Sequence, residues 1–499
     1  MKDIQECRKQ IDTIDAKLRE LFLERMEVVR EIAAYKKENS LPANDPKREE
    51  EILKENIAKV DAEAREYYKE FQQELFRISK RYQKAVLDEN DPFLGETRDY
   101  STYVDNAFLV SKLAKKDALT HPETINATIG SLYGKDGLLS AFDSVYNCYA
   151  KVPNRRKASY AAEIGGNPDF NEAVFDWVNR LDNIHLPHRV VATPGGTGAI
   201  SLVVANTLSR NETLLIPSIA WGSYRLMAAQ HSLKVKTYEL FDENGITLED
   251  IKAQCEATMD EQKKVVIILN DPCQNPTGAT FGKERWQNLM DFFTELSKRG
   301  PVIILNDIAY FDFARDYANI TDYMECFNQM SDNMAIVIAF STSKSLTSYG
   351  MRLGAAIILA KQEEKAVHLY NSFLRTARSS WSNVNNGFMD CFVDLIRNHK
   401  EEYLSEKLEA QKELLRRADI FLAQADEVGL DHYPYSEGFF ITLKVENDEL
   451  ATKYHNALME QHIYTVKFHH GIRIAICGLP YESVDGLAYR IKAIFDSVQ

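Results

Sequence analysis

No apolar run in the 499-residue chain approaches the ~20 residues that a membrane-spanning helix needs. The amino-terminal stretch MKDIQECRKQID alternates charge with isolated apolar residues, the pattern of an amphipathic helix and not of a signal peptide, so the cytoplasm is the expected compartment. Positive charge is also short. Sixty Lys and Arg face 74 Asp and Glu, for a net charge of -14. The basic residues stand singly among acidic neighbours, which suits small anionic ligands and argues against nucleic acid as a partner. A DNA-binding regulator is disfavoured as well, because the first helices are too long and too acidic for a helix-turn-helix. The seven cysteines are odd in number and form no CxxC pair, so they read as reduced thiols. The eleven histidines form no HExxH or comparable set, so no metal is expected, and His469 with His470 reads as a strand-edge pair. Internal repeats are absent, and the length exceeds one ordinary core, which predicts two to four domains.

What the chain does have is a series of motifs around one lysine. Lys344 lies in AFSTSKSLTSYGMRLG, where an apolar strand runs into a Ser/Thr-rich turn, a place where an amine can capture an aldehyde cofactor. Upstream, RVVATPGGTGAISLVV passes from a β-branched run through glycines to a helical pattern. Gly196, Thr197 and Gly198 then offer free backbone N–H groups at a helix N-terminus, a cradle for phosphate. An ordinary strand-to-helix turn would look the same in isolation. In PVIILNDIAYFDF the strand ends at Asp307, whose carboxylate can keep a pyridine nitrogen protonated and so turn the ring into an electron sink. Tyr310, one turn on, and Asn275 of QNPTG can both hydrogen-bond a phenolic oxygen. Trp221 in PSIAWGSY offers a ring to stack, Ser341 a hydroxyl and Arg352 a fixed cation.

The order and spacing of these residues resemble the aspartate and aromatic aminotransferases of pyridoxal-phosphate fold type I, from roughly residue 120 to the end of the chain. The resemblance implies pyridoxal 5'-phosphate as cofactor, with Lys344 as Schiff-base lysine and proton shuttle. It places Asp307 on the pyridine nitrogen and Asn275 and Tyr310 on the phenolic oxygen, with Gly196, Thr197, Ser341 and Arg352 on the phosphate. Arg473 in GIRIAICG matches the arginine that grips a substrate α-carboxylate with a two-pronged hydrogen bond, and Arg378 in ARSSWSN matches the one that reads a distal carboxylate. Arg378 and Tyr133 of IGSLYGKDG are expected to look across a dimer interface, so the resemblance implies a homodimer or higher homo-oligomer. The chain departs from the family after this stretch. It reads RSSWSNVNNG where NPPA is common, which leaves side-chain specificity open.

The first ninety residues follow a different pattern. Ile4, Cys7, Ile11, Ile14, Leu18, Leu21, Arg25, Val28, Ile32 and Tyr35 form a heptad seam with charges elsewhere. A buried guanidinium costs several kcal/mol unless paired, so Arg25 meets a carboxylate, awaits an anionic ligand, or snorkels at the helix edge. Lys36 lies three turns on and points the same way, roughly 16 Å along the axis. Arg8 lies about 26 Å before Arg25, beyond the span of a small metabolite, and so serves a site on another subunit. An interlocked helical dimer is therefore expected. In SLPANDPKREEEIL, Asp45 and Pro46 are a cap and first-turn proline opening a second helix that carries Arg48 and Glu49. In FQQELFRISKRYQKAVL, Ser79 and Gln83 share one face of a third.

These helices resemble the all-helical type II chorismate mutases, whose active-site pattern finds counterparts in Arg8, Arg25, Lys36, Asp45, Arg48, Glu49, Ser79 and Gln83. Rearranging a dianion pericyclically needs no nucleophile, only a compact conformer and stabilised charge on the breaking ether oxygen. The resemblance implies that Arg8, Arg25 and Arg48 grip the carboxylates, Lys36 and Gln83 donate to the ether oxygen, and Glu49 takes the substrate hydroxyl. A glutamine donates without protonation, so activity is expected to persist at neutral and mildly alkaline pH.

The expected organisation is a multidomain chain, with an all-α mutase at 1–90, a linker at 91–105, and an α/β aminotransferase at 106–499. The large domain with a mainly parallel sheet is expected at about 161–385, and a small α+β domain at about 106–160 and 386–499. Chorismate would become prephenate in the first part. The second would move an amino group from glutamate or aspartate to phenylpyruvate, 4-hydroxyphenylpyruvate or prephenate, with the arylpyruvates favoured by resemblance. The alternatives are an aspartate or dicarboxylate aminotransferase, or an aspartate β-decarboxylase, carrying a mutase-like dimerisation or regulatory module.

Overall fold

The computed structural model describes residues 3–43, 45–87, 93–94 and 102–498. The chain divides into two compact units, Met1–Tyr103 and Val104–Gln499. Most of the expected linker, 91–92 and 95–101, lies outside the described residues.

The first unit holds three helices, α1 (Ile4–Glu38), α2 (Pro46–Ile57) and α3 (Arg65–Val86). Asp45 caps α2 by accepting from the Arg48 N–H at 3.2 Å, with proline in the first turn as the sequence predicts. The buried face of α3 is Gln72, Phe76, Ser79 and Gln83, a helical spacing that carries more amide and hydroxyl than hydrocarbon. Opposite it, α1 buries Val29 and Ala33 and half-buries Phe22, Arg25, Met26 and Lys36. The heptad seam read from the sequence therefore needs correcting in one respect. Arg25 turns inward toward α3, whereas Ile4, Ile11, Ile14, Leu18, Leu21, Val28, Ile32 and Tyr35 are exposed within this chain, Leu21 at 61%.

The second unit is built on a seven-stranded sheet. Its strands run, in spatial order, His188–Thr193, Gly354–Ala360, Met334–Ser341, Val302–Asp307, Val265–Asn270, Thr213–Pro217 and Lys234–Tyr238. Only Gly354–Ala360 runs antiparallel to its neighbours. Both faces are covered, so the strands read as continuous apolar runs. Along Val265–Asn270, the side chains of Val265, Ile267 and Leu269 join one core, and Val266 and Ile268 join the other. Three short sheets accompany it: the antiparallel set Ile441–Lys444, Gly471–Ile474 and Val466–Phe468, the parallel pair Ile125–Asn126 with Ile463–Tyr464, and the antiparallel pair Phe241–Asp242 with Gly245–Ile246. His469 and His470 form the two-residue turn between Val466–Phe468 and Gly471–Ile474, one step beyond the strand edge expected from the sequence. Among the described residues, no helix is long and apolar enough to cross a membrane.

Register decides what meets at the carboxyl ends of the strands. Asn270 pairs with Asp307, Asp307 with Ala339, and Gly354 with both Ser341 and Thr193. Four chain segments distant in sequence thus end side by side, where open α/β sheets bind ligands.

Candidate active site

Lys344 follows the strand Met334–Ser341 in a single helical turn, Thr342–Ser345. Its Nζ donates to the Gly130 carbonyl at 2.8 Å and lies 4.7 Å from the centre of the Tyr349 ring and 5.5 Å from that of Tyr310. Burial disfavours the ammonium and lowers its pKa to about 8, with the nearby Arg352 and Arg473 adding to the effect.

Beside it, Asp307 closes its strand fully buried. One carboxylate oxygen accepts from the Tyr224 hydroxyl at 2.6 Å, the other from the Ala309 N–H at 3.1 Å. Burial raises the Asp307 pKa, and these two donors oppose the rise. Tyr310 is buried against Phe439 and Phe440, and burial pushes its phenol upward while the Arg473 cation pulls the other way. Asn275 accepts from Arg473 at 3.2 Å. Arg473 also donates to the Thr128 carbonyl at 2.7 Å and lies 4.3 Å from the Phe440 ring centre, yet its Nε is buried without a partner. Burial lowers the Arg473 pKa, and nearby Tyr310, Cys477 and Asp105 oppose this.

A cradle lies on the other side of the lysine. The helix Gly195–Thr207 begins after Pro194 with no side-chain cap, so its first N–H groups face outward with the positive end of the helix dipole. A Cβ on Gly195 would stand 2.7 Å from an Arg352 nitrogen, and one on Gly196 would stand 3.3 Å from the Ser341 Cβ. Gly354 allows this convergence, because a Cβ there would meet the Gly195 backbone at 2.6 Å. Arg352 is fixed by bonds to the Ser343 hydroxyl at 3.1 Å and the Tyr349 carbonyl at 3.0 Å. Trp221 is half-buried, edge-on to Tyr224 with ring centres 5.5 Å apart.

Two residues named from the sequence stand apart from this cluster. Arg378 is exposed near the end of the helix Glu363–Ser380, bonded to Ser382. Tyr133 is half-buried, with its N–H on the Cys477 carbonyl at 2.8 Å and its own carbonyl accepting from Arg417 at 2.9 Å.

In the helical unit, Arg25 donates to the Ser79 hydroxyl at 2.5 Å, and burial lowers its pKa. Lys36 donates to the Ala43 carbonyl at 2.8 Å. Gln83 is buried, and its amide oxygen has no partner. Glu49 pairs with Lys80 at 3.0 Å. Arg8 is exposed, and Arg48 extends from α2 to Glu51 at 3.4 Å. Arg25, Lys36, Glu49, Ser79 and Gln83 are thus buried or half-buried in the helical bundle, and Arg8, Asp45 and Arg48 are exposed.

Sequence reasoning missed Tyr224, the Gly130 carbonyl, Tyr349 and Lys80. Tyr224 stands three residues after Trp221, in the first turn of the helix Ser223–Gln230, and that nearness in sequence is the one signal that could have found it. The carbonyl carries no side-chain signature at all.

A buried acid, a half-buried amine of lowered pKa and an anion cradle at the carboxyl ends of the seven-stranded sheet, with an orphan guanidinium carried to Asn275 by the three-stranded sheet, suit cofactor-dependent amine chemistry. The sequence model of class I and II aminotransferases matches residues 153–491, more than half of the chain, and that of type II chorismate mutases matches residues 7–84. The chain belongs to the class I and II aminotransferases and carries a type II chorismate mutase domain at its amino-terminal end. It is 27% identical to an aspartate aminotransferase of Escherichia coli over 52% of this chain and 66% of that protein. It is 24% identical to the aromatic-amino-acid aminotransferase of the same organism, over 53% of this chain and 66% of that protein. The matched segment therefore spans about two thirds of those relatives. An aminotransferase structure from Anaerococcus prevotii superposes with a TM-score of 0.78 at 28% identity, over 81% of this chain and 99% of that one. An aromatic-amino-acid aminotransferase from Burkholderia pseudomallei, covalently bound to pyridoxal phosphate, shares the fold at TM-score 0.66 and 19% identity, over 81% of this chain and 100% of that one.

The family depends on pyridoxal phosphate, and the residues present fit it. The uncapped helix start, Ser341 and Arg352 enclose a space that glycines keep open, and the buried Asp307 carboxylate gains a counter-charge from a protonated ring nitrogen.

Proposed function

We propose that the chain is a bifunctional enzyme of aromatic amino acid biosynthesis, converting chorismate to prephenate in its helical unit and transferring an amino group to an aromatic 2-oxo acid in its second. The observation that carries the transferase reading is the convergence of Lys344, Asp307, Arg473 and the Gly195–Ser341–Arg352 cradle at one end of the sheet.

Pyridoxal phosphate, when bound, supplies an aldehyde that condenses with amines and a ring that accepts the electron pair released at the amino acid's α-carbon. Gly196, Thr197, Ser341 and Arg352 hold its phosphate, Asp307 keeps the ring nitrogen protonated, Asn275 and Tyr310 donate to its phenolic oxygen, and Trp221 covers a ring face. Lys344 carries a pKa of about 8, so a useful fraction of its amine is neutral near pH 7. That neutral amine would take the proton from the substrate α-carbon and hold it for return. Arg473 clamps the α-carboxylate in two prongs, its partnerless Nε included. Arg378 and Tyr133 act across a homodimer interface, and the exposure of Arg378 in the single chain supports that role.

In the helical unit, Arg25, Arg48 and, from a second copy, Arg8 grip two carboxylates, and Asp45 and Ser79 hold α2 and Arg25 in place. Lys36 and Gln83 donate to the ether oxygen, and Glu49 orients the hydroxyl. The exposed seam of α1 supports a helical dimer with a second copy.

Assays of the full chain separate the readings. Chorismate must disappear, and amino transfer from glutamate or aspartate to phenylpyruvate or 4-hydroxyphenylpyruvate must appear. Transfer to prephenate without a dehydratase would reveal direct handover between the halves. Alanine and carbon dioxide from aspartate alone would identify the β-decarboxylase instead. An unchanged chorismate turnover in Arg25→Ala would reduce the helices to a dimerisation module.

A further inference from the structure

Outside both sites, three side chains remote in sequence meet at the head of the ribbon Ile125–Asn126/Ile463–Tyr464. Asp117 closes the helix Asn106–Asp117, His121 follows in the next turn, and His462 precedes Ile463. One Asp117 oxygen lies 2.9 Å from His121 Nδ1, the other 2.8 Å from His462 Nδ1. The two imidazoles stack with centres 4.1 Å apart and planes 27° from parallel, so both Nδ1 atoms face the same carboxylate. One ligand atom from each residue fits within a 4.8 Å span. Thr124 orients the carboxylate, donating to it at 2.8 Å, and Thr120 contacts His121 Nδ1 at 3.1 Å.

We propose that Asp117, His121 and His462 bind one divalent transition-metal ion of the zinc type, with water in the fourth position. Two imidazole nitrogens and one carboxylate oxygen are borderline donors that suit Zn2+ and disfavour Mg2+ or Ca2+, which take oxygen shells. A tetrahedral site with bonds near 2.1 Å separates its ligand atoms by about 3.4 Å, so the two Asp117–histidine contacts open by roughly half an ångström from their present hydrogen bonds. The chemistry balances without an oxidant. Each neutral imidazole carries its proton on Nε2 instead of Nδ1, the ion exchanges three of its waters for two nitrogens and one oxygen, and nothing else is released. Thr124 supplies the orienting bond that carboxylate ligands require. The side chains of the three residues are between 15 and 43% exposed, which gives the ion an entry path and its water a place. Bound there, the ion ties the first helix of the second unit to the ribbon at its far end in sequence.

The test uses the cofactor-loaded full chain, stripped with a chelator and titrated with Zn2+ alone, then with Co2+ as a coloured stand-in. The expected result is one equivalent bound with micromolar or tighter affinity, a chelator-reversible rise in Tm, and the strong visible absorption of tetrahedral Co2+. His121→Gln and His462→Asn should each weaken binding at least roughly tenfold. Asparagine suits position 462 because the backbone there is left-handed, with φ of 59°. His469→Gln removes a ligand from the exposed Asp448, His469 and His470 cluster and should leave the tight site intact. Absence of a tight equivalent in the wild type, or binding undiminished in both His121→Gln and His462→Asn, overturns the assignment. Should a variant fail to fold, wild-type stoichiometry and the Co2+ spectrum decide alone.

Discussion

The two units dispose of their apolar residues in opposite ways. In the α/β unit the inner strands of the central sheet are covered on both faces, and the lysine, acid, cradle and guanidinium find their supports inside one chain. In the helical unit the longest helix leaves eight large apolar residues of its seam exposed, and the buried face of α3 is mostly polar. One unit therefore supports its clustered side chains within a single chain, whereas the other leaves an apolar seam uncovered in it.

The sharpest break in that comparison is at Lys344. Lys344→Ala should abolish amino transfer by about a thousandfold or more while chorismate turnover stays within a factor of two, measured on the same sample. An equal loss of both would mean that the units are not separable. Next, Ile14→Asp together with Leu21→Asp places charge on the exposed seam. Chorismate turnover should then fall by roughly a hundredfold with amino transfer largely kept, since two buried charges oppose helix pairing. Retained turnover would show that the seam has no partner. Arg473→Lys keeps the charge but loses the fork, and kcat/KM for amino transfer should drop by roughly 30-fold. A smaller effect is expected from pH. The neutral fraction of an amine titrating at about 8 rises about tenfold between pH 7 and 9, so the rate of cofactor uptake by the stripped protein should rise by that factor and then level off. A flat profile would show that the amine is not the group that reacts. The same shift has a stability counterpart. Because the folded-state pKa lies below the unfolded value near 10.5, the unfolded chain binds more protons between pH 8 and 10.5, and the stripped protein gains stability as pH rises through that window. Smallest of all, Tyr224→Phe should weaken cofactor retention by roughly fivefold through loss of one buried hydrogen bond.

Much of this was legible in the sequence because the signals are local. A β-branched run into glycines, a strand ending in Asp307 and a turn carrying Lys344 each declare themselves within a dozen residues, and the alternation of strand and helix follows. The covered sheet faces were legible too, as uninterrupted apolar runs. The misplaced feature was the face of α1. A heptad reading assigns Arg25 to the same seam as Leu21 and Val28, but the polar face of α3 draws the guanidinium and its neighbours Val29 and Ala33 to the other side. The rest was out of reach for a simple reason. Lys80 meets Glu49 across 31 positions, Lys344 meets Gly130 across 214, and Asp117 meets His462 across 345, so only the folded chain brings them together.

The contact between Tyr224 and Asp307 bears on constancy. Burial and the adjacent carboxylate push this phenol well above its ordinary range, so it gains or loses no proton in any habitat a cell tolerates. An imidazole in its place would flicker with every swing in acidity. The phenol instead offers the Asp307 carboxylate a hydrogen bond that stays in place while the medium around it drifts.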